Sequence, residues 1–161
     1  MIHFRHGAGD RAPSSERRLK AFDLIVVPGE KDVERAIKRH HVDPSRVRVG
    51  GYVKLDYLRH HARVGARLFD NDRPTILYNP HFDHALSSMD VARTVVETIR
   101  TDGRYNLVFA PHIRVAEDMT AHDRASWYAM AEPGHVIVDL ESDRLIDMSY
   151  VHMADIYLGD M

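Results

Sequence analysis

The chain has 161 residues, which is enough for one compact domain or for one domain and part of another. Apolar residues make up 44% and charged residues 29%, which is typical of a globular protein and excludes an intrinsically disordered chain. The formal net charge of −2 excludes a general electrostatic affinity for nucleic acid, and the lack of cysteine excludes disulfides, thiolate metal sites and a cysteine nucleophile.

Along the chain, short β-branched runs alternate with longer amphipathic stretches, and proline or glycine often ends a run. The predicted strands are 22–27, 46–49, 75–78, 105–110, 135–139 and 155–158. The predicted helices are 30–40, 87–100, 117–130 and 145–154. Ser87 or Ser88 is expected to cap the second of these helices. Alternating strands and helices predict an α/β fold with parallel sheets and right-handed crossovers.

Residues 52–73 differ from the rest of the chain. They are rich in Arg and His, and their apolar residues show weak periodicity. We interpret them as a linker that joins a short N-terminal part to a more complete C-terminal part.

The sequence contains neither a membrane-spanning run nor a signal peptide. No apolar run approaches the roughly 20 residues that a spanning helix needs. The N-terminus becomes polar at once, without the apolar region of a signal peptide. We therefore expect a cytoplasmic protein, either free or peripheral to the inner face of the membrane.

Polar residues follow several predicted strands, and ligands of open parallel sheets bind at the carboxyl ends of strands. The first such segment is 6–11, where His6 stands beside two glycines, Asp10 and Arg11. A histidine that titrates near pH ~6.5 is suited to remove a proton from a hydroxyl. The guanidinium of Arg11 is suited to hold a phosphate oxygen. A polar turn without chemical function is the alternative explanation.

Three more segments follow predicted strands. His112 and Arg114 stand two apart after 105–110, where both can face one anion, although an exposed loop is the alternative. His81 follows 75–78, and the next three residues include an aspartate and a second histidine. Such crowding without a distant fourth ligand argues against zinc, so no metal is expected. Asp160 follows the last predicted strand.

Taken in order, these segments resemble the CDP-glycerol glycerophosphotransferase family of teichoic-acid-type polymer synthesis, whose members are built like GT-B glycosyltransferases. None of the motifs is specific by itself, but six in the family's order span almost the whole chain. The matching segments are His6-Gly7, Asp23-Leu24-Ile25-Val26-Val27, Gly51-Tyr52-Val53-Lys54-Leu55-Asp56-Tyr57-Leu58, Ile76-Leu77-Tyr78-Asn79-Pro80, Pro111-His112, and residues 143–156.

The resemblance implies a transferase that moves a glycerol-phosphate-like unit from a nucleotide-activated donor, such as CDP-glycerol, to a hydroxyl of a polymer or glycan. It implies His6 as general base and no metal or redox cofactor. Asp10 is a candidate catalytic residue because it stands in the same turn as His6, although the turn Ala8-Gly9-Asp10-Arg11 departs from the one common in the family. The residues expected to bind the donor and its phosphates are Arg11, His81, His112, Arg114 and Asp160.

The sequence departs from the family at both ends. The family continues past Asp160 with a Ser-Ser turn and has more strands before His6, so we expect a chain truncated at both ends. On this interpretation, residues 1–57 end an acceptor-side Rossmann-like domain, and residues 58–161 form an incomplete donor-binding one. Exposed sheet edges of such a fragment favour homo-oligomers.

Two other functions stay open from the sequence. One is an inactive, truncated remnant of such an enzyme. The other is a UDP-N-acetylglucosamine 2-epimerase-like protein or another GT-B glycosyltransferase, because this architecture serves several reactions.

Overall fold

A computed structural model of the chain describes residues 1–4, 17–61, 67–141 and 143–160, with only the backbone of His61 described. The chain divides into two compact units, Met1–His61 and Ala62–Met161, whereas the sequence placed a boundary at 57/58. Each unit contains one parallel sheet with helices, so the predicted α/β class is confirmed, and the units are consistent with Rossmann-like folding. Within the described ranges, no helix has the length and apolarity to cross a bilayer.

The first unit contains a three-stranded parallel sheet in the order β1-β2-β3. Its strands are Ile2–Phe4 (β1), Leu24–Val27 (β2) and Val47–Val49 (β3). Its helices are Glu30–Lys38 (α1) and Val53–His61 (α2). The helix α1 packs Ala36 into a small core with Ile25 and Val27 of the central strand. This arrangement follows the sequence, because β2 is an apolar run and α1 has one apolar side.

The helix α2 occupies residues 53–61 of the segment 52–73 that we interpreted as a linker. The side chains of Val53, Leu55 and Tyr57 are about half exposed, at 50%, 47% and 57%, and only Leu58 is deeply buried, at 2%. Its apolar residues therefore form no buried stripe along the helix, so the apolar periodicity of the sequence did not indicate a helix here. Residues 53–61 are helical all the same, and four of these nine residues, two leucines with Lys54 and Arg59, have good intrinsic helix propensity.

The second unit contains a four-stranded parallel sheet in the order β6-β5-β4-β7. Its strands are Thr75–Asn79 (β4), Asn106–Phe109 (β5), Val136–Val138 (β6) and Ile156–Gly159 (β7). The last strand in the sequence therefore pairs with the first strand of the unit. In the register of the sheet, Tyr78 lies between Phe109 and Leu158, so β4, β5 and β7 end almost level.

The second sheet is covered on both faces. Its helices are Ala92–Asp102 (α3), Ala121–Tyr128 (α4), Asp143–Ile146 (α5) and Ser149–Met153 (α6). Along β5, Leu107 and Phe109 join one core cluster with α3 and α4, while Val108 joins the other cluster with Tyr150 of α6. Burial of both faces explains why β4, β5 and β6 are continuous apolar runs in the sequence, whereas the apolar residues of β7 are exposed.

The helix α3 begins five residues later than the sequence predicted, and neither predicted cap is its N-cap. The N-cap is Val91, which makes no side-chain capping bond. The hydroxyl of Ser87 accepts a bond from the main chain two residues on, and the main chain of Ser88 bonds to Asp160. The segment before α3 is therefore held by tertiary contacts. The helix ends at Gly103, whose φ of 71° lies in the left-handed region that favours glycine.

Two other predicted helices also differ from the structure. The helix α4 begins after Thr120, which forms a reciprocal capping box with Asp123, so it starts four residues later than predicted. Residues 145–154 were predicted as one helix but belong to two short helices, α5 and α6. The helical conformation is interrupted at Met148, whose φ of 58° is incompatible with a continuous right-handed helix.

Candidate anion-binding site at the ends of three strands

Three of the polar segments that the sequence singled out lie together at one edge of the second sheet. The turn after β4 carries His81, the turn after β5 carries His112, and Asp160 follows β7. The main-chain N–H of His112 donates to the carbonyl of Pro80 at 2.9 Å, which joins the first two turns. The main-chain N–H of His81 donates to Asp160 Oδ2 at 2.5 Å, which joins the third. This convergence follows from parallel strands that end level.

The two imidazoles are neighbours, and each is held by its own turn. Their ring centroids lie 5.8 Å apart with the planes tilted by 50°. His81 Nδ1 accepts from the N–H of Asp83 at 3.0 Å, and His112 Nδ1 accepts from the N–H of Arg114 at 3.2 Å. A nitrogen that accepts a hydrogen bond carries no proton, so each neutral ring has its proton on Nε2. Both rings are therefore hydrogen-bond donors through Nε2.

The aromatic ring of Phe82, which is not among the predicted site residues, contacts both histidines. The Phe82 centroid lies 4.4 Å from that of His81 in a stacked arrangement and 4.7 Å from that of His112. The guanidinium carbon of Arg114 lies 4.2 Å from the same ring centroid. The Arg114 side chain also lies 3.5 Å from Glu117 in an exposed ion pair. The only signal for Phe82 in the sequence is its place beside a strand-end histidine.

Asp160 anchors the turn that carries His81. Its Oδ2 accepts from His81 N–H, and its Oδ1 accepts from Ser88 N–H at 2.9 Å. Burial alone would raise the pKa of Asp160, but the hydrogen bonds from the His81 and Ser88 main chains, with a charge interaction with His81, outweigh it and lower the pKa. The carboxylate is therefore ionised at neutral pH, and both of its oxygens are bound to main-chain N–H groups.

A second polar network joins the same three strands. Asn79, the last residue of β4, donates to the carbonyl of Ala110 at 2.5 Å and accepts from the Tyr157 hydroxyl at 3.1 Å. The Tyr78 hydroxyl lies 2.8 Å from that of Ser88. Burial raises the pKa of Tyr78 and also that of Tyr157. These tyrosines are thus neutral donors that stiffen the edge, and the apolar appearance of their strands gave no sign of that role.

The cluster has the chemistry of an anion site. It combines two imidazole N–H donors with a guanidinium, and such groups bind carboxylate or phosphate oxygens. Within residues 1–4, 17–61, 67–141 and 143–160, no three His, Asp or Glu side chains are arranged to hold a metal ion. The predicted catalytic residues His6 and Asp10, and the predicted phosphate contact Arg11, lie outside the described residues.

A cavity of about 550 Å³ lies at the opposite, amino-terminal edge of the sheet, beside Thr75 and Asn106. Its arginines already have partners, since Arg67 pairs with Asp72 at 3.2 Å and Arg73 lies 2.9 Å from His135 Nδ1. Ligands of open parallel sheets bind at the carboxyl ends of the strands. The histidine cluster is therefore the better candidate site, although it is an open surface.

Comparison with protein-family models and with curated proteins gives no significant match for this chain. The resemblance to glycerophosphotransferases thus depends on the quoted sequence segments, and the candidate site depends on its geometry.

Proposed function

We propose that the second unit binds the phosphate groups of a nucleotide-activated donor through His81, His112 and Arg114. We further propose that the chain is part of a GT-B-like transferase similar to the CDP-glycerol glycerophosphotransferases. The observation that carries the proposal is the pair of imidazoles 5.8 Å apart, each with Nδ1 bonded to a main-chain N–H. The two units would supply the donor side and the acceptor side of the reaction.

Phosphate is the ligand that suits these groups. A hydrogen bond to a charged oxygen contributes about 1.5–3 kcal/mol, so two Nε2–H donors and one guanidinium are enough for specific binding. The position at the carboxyl ends of parallel strands is where such folds bind nucleotides.

The proposed reaction is a displacement at phosphorus. A bond forms between the acceptor hydroxyl oxygen and the phosphorus of the transferred unit, while the bond from that phosphorus to the leaving nucleoside monophosphate breaks. The hydroxyl proton passes to a general base, for which the resemblance implies His6. His81, His112 and Arg114 would stabilise the charge that develops on the leaving phosphate. Fixed donors are effective here because they need no reorganisation during the reaction.

The test is a thermal-shift and calorimetric titration of the chain with CDP-glycerol, CDP, UDP-N-acetylglucosamine and UDP. A ligand at 100 times its dissociation constant should stabilise the protein by about 2.7 kcal/mol. His81→Ala and His112→Ala should each weaken CDP binding about tenfold, which corresponds to the loss of one charge-assisted hydrogen bond. His122→Ala is the matched control, because His122 is an exposed histidine on α4.

The titration also separates the alternatives. A response to uridine ligands alone would favour an epimerase-like protein or another glycosyltransferase. No response to any of the nucleotides would refute the donor site and leave the inactive remnant. A response to CDP-glycerol that depends on His112 would justify a turnover assay with His6→Ala, where loss of a positioned base reduces the rate by roughly 10²–10⁴-fold.

A further inference from the structure

We propose that Phe82 is a positioning residue that holds His81, His112 and Arg114 in one arrangement for binding an anion. This inference rests on the proposed phosphate site and assigns the residue that organises it. The support is that the Phe82 ring contacts the side chains of all three residues.

The Nδ1 hydrogen bonds of the two histidines are local. Each Nδ1 accepts from the main chain two residues further along, so each bond orients a ring with respect to its own turn only. The turns themselves are joined through main-chain atoms of Pro80 and His112. The Phe82 ring centroid lies 4.4 Å from that of His81 and 4.7 Å from that of His112. Both distances are shorter than the 5.8 Å between the two imidazole centroids. The aromatic ring thus fixes the angle between the two donors.

The guanidinium of Arg114 also stacks on the Phe82 ring. Arginine stacks readily on an aromatic face, which attracts the cation and leaves the N–H groups at the guanidinium edge able to bind an anion. The exposed ion pair of Arg114 with Glu117 is 3.5 Å long, and surface pairs of this kind contribute little to ordering a side chain. The stacking on Phe82 is therefore the stronger constraint on where the guanidinium lies.

Phe82 does not act as a core residue. It is only partly buried, and it belongs to none of the three apolar clusters that form the cores of the two units. A phenylalanine that contributes little to the cores is better explained by what its ring touches. Its replacement should therefore affect the site much more than the stability of the fold.

The experiment compares the full chain with Phe82→Leu and Phe82→Met, which remove the ring, and with Phe82→Tyr, which keeps it. Tyr105→Leu is the matched control, since the guanidinium of Arg104 lies 5.5 Å from the centroid of that ring, next to the start of β5. The probe is CDP, and affinity is measured by calorimetry. The histidine ring nitrogens and Cε1–H protons are followed by NMR in the absence of ligand, and melting temperature is recorded for each variant.

We expect the two ring-deleting variants to lose about tenfold in CDP affinity, because both preorganisation and the cation–π platform are lost. Phe82→Tyr should stay within about twofold of wild type, and Tyr105→Leu should bind CDP unchanged. In Phe82→Leu and Phe82→Met, the Cε1–H resonances of His81 and His112 should move downfield as the ring current disappears. Melting temperatures should change little.

Wild-type affinity and unchanged histidine resonances in Phe82→Leu would overturn the positioning role and leave the phosphate site intact. A wild-type chain that does not bind CDP would instead overturn the proposed function. In that case the histidine spectra of the variants, recorded without ligand, still decide whether Phe82 orders the two rings.

Discussion

Replacing Asp160 with asparagine is expected to loosen the turn that carries His81. The carboxylate accepts main-chain bonds of 2.5 Å from His81 and 2.9 Å from Ser88. Asparagine keeps one acceptor oxygen and places an NH₂ group against the other donor. One charge-assisted bond is therefore lost and the second is weakened. At about 1.5–3 kcal/mol for a bond to a charged group, the turn should lose about 2–3 kcal/mol of local stability.

Amide hydrogen exchange measures the local stability of this turn directly. The amide protons of His81 and Ser88 should exchange about 30- to 140-fold faster in Asp160→Asn, because 1.4 kcal/mol corresponds to a factor of ten. The matched control is Asp118→Asn, since Asp118 is an exposed aspartate on the surface. Unchanged exchange at both amides in Asp160→Asn would refute the anchoring role of the carboxylate.

The pH dependence gives a second check on the same carboxylate. The folded-state pKa of Asp160 is lowered, so its stabilising contribution is complete above the ordinary value near 3.8. That contribution is lost as pH falls through the lowered folded pKa. The difference in stability between wild type and Asp160→Asn should therefore be constant near neutral pH and shrink below about pH 4. A difference that grows on acidification would contradict this reasoning.

Two further predictions concern stability. Gly103→Ala should lower the free energy of unfolding by about 1 kcal/mol in a urea titration, because its φ of 71° strains any residue with a Cβ. Gly29→Ala, where φ is −163° and a Cβ meets nothing within 4 Å, should change it little, and equal losses in both variants would count against the conformational explanation. His135→Leu should cost about 1–3 kcal/mol, because His135 is 5% exposed and its two ring nitrogens lie 2.9 Å from Arg73 Nη1 and 3.0 Å from the carbonyl of Arg100. The exposed His152→Leu is its control, and similar losses in the two variants would refute a specific role for the buried ring.

Strand β1 was not predicted, and β7 was predicted although Ile156, Tyr157 and Leu158 are 43%, 58% and 39% exposed. Strands β4, β5 and β6 could be predicted because burial on both faces makes them continuous apolar runs. The helix α2 could not, since only Leu58 of its apolar residues is deeply buried. The predicted start of α3 was wrong for a different reason. Ser88 has the properties of a capping residue, but its main chain is bound by Asp160, 72 residues away, and such a contact leaves no local signal.

The candidate site could likewise be predicted only in part. His81 and His112 could be selected because each follows a strand directly, and parallel strands place such residues at one edge. The role of Asp160 depends on β7 lying beside β4 rather than beyond β6. Nothing in the apolar runs specifies that strand order, so the double main-chain anchor could not be read from the sequence. The contacts of Phe82 join the turns after β4 and β5, and they depend on side-chain positions within those turns, which leave no local signal.

The pairing of β7 with β4 also has a consequence for synthesis on the ribosome. The turn after β4 is anchored by a carboxylate 79 residues further along the chain. At about 5–20 residues per second, translation needs roughly 4–16 s to cover that distance. During this interval β4 has an unpaired edge, and His81 lacks its anchor. The nascent chain therefore presents a strand edge to chaperones and to other chains until β7 has emerged, and the anchored turn that carries His81 can form only after that.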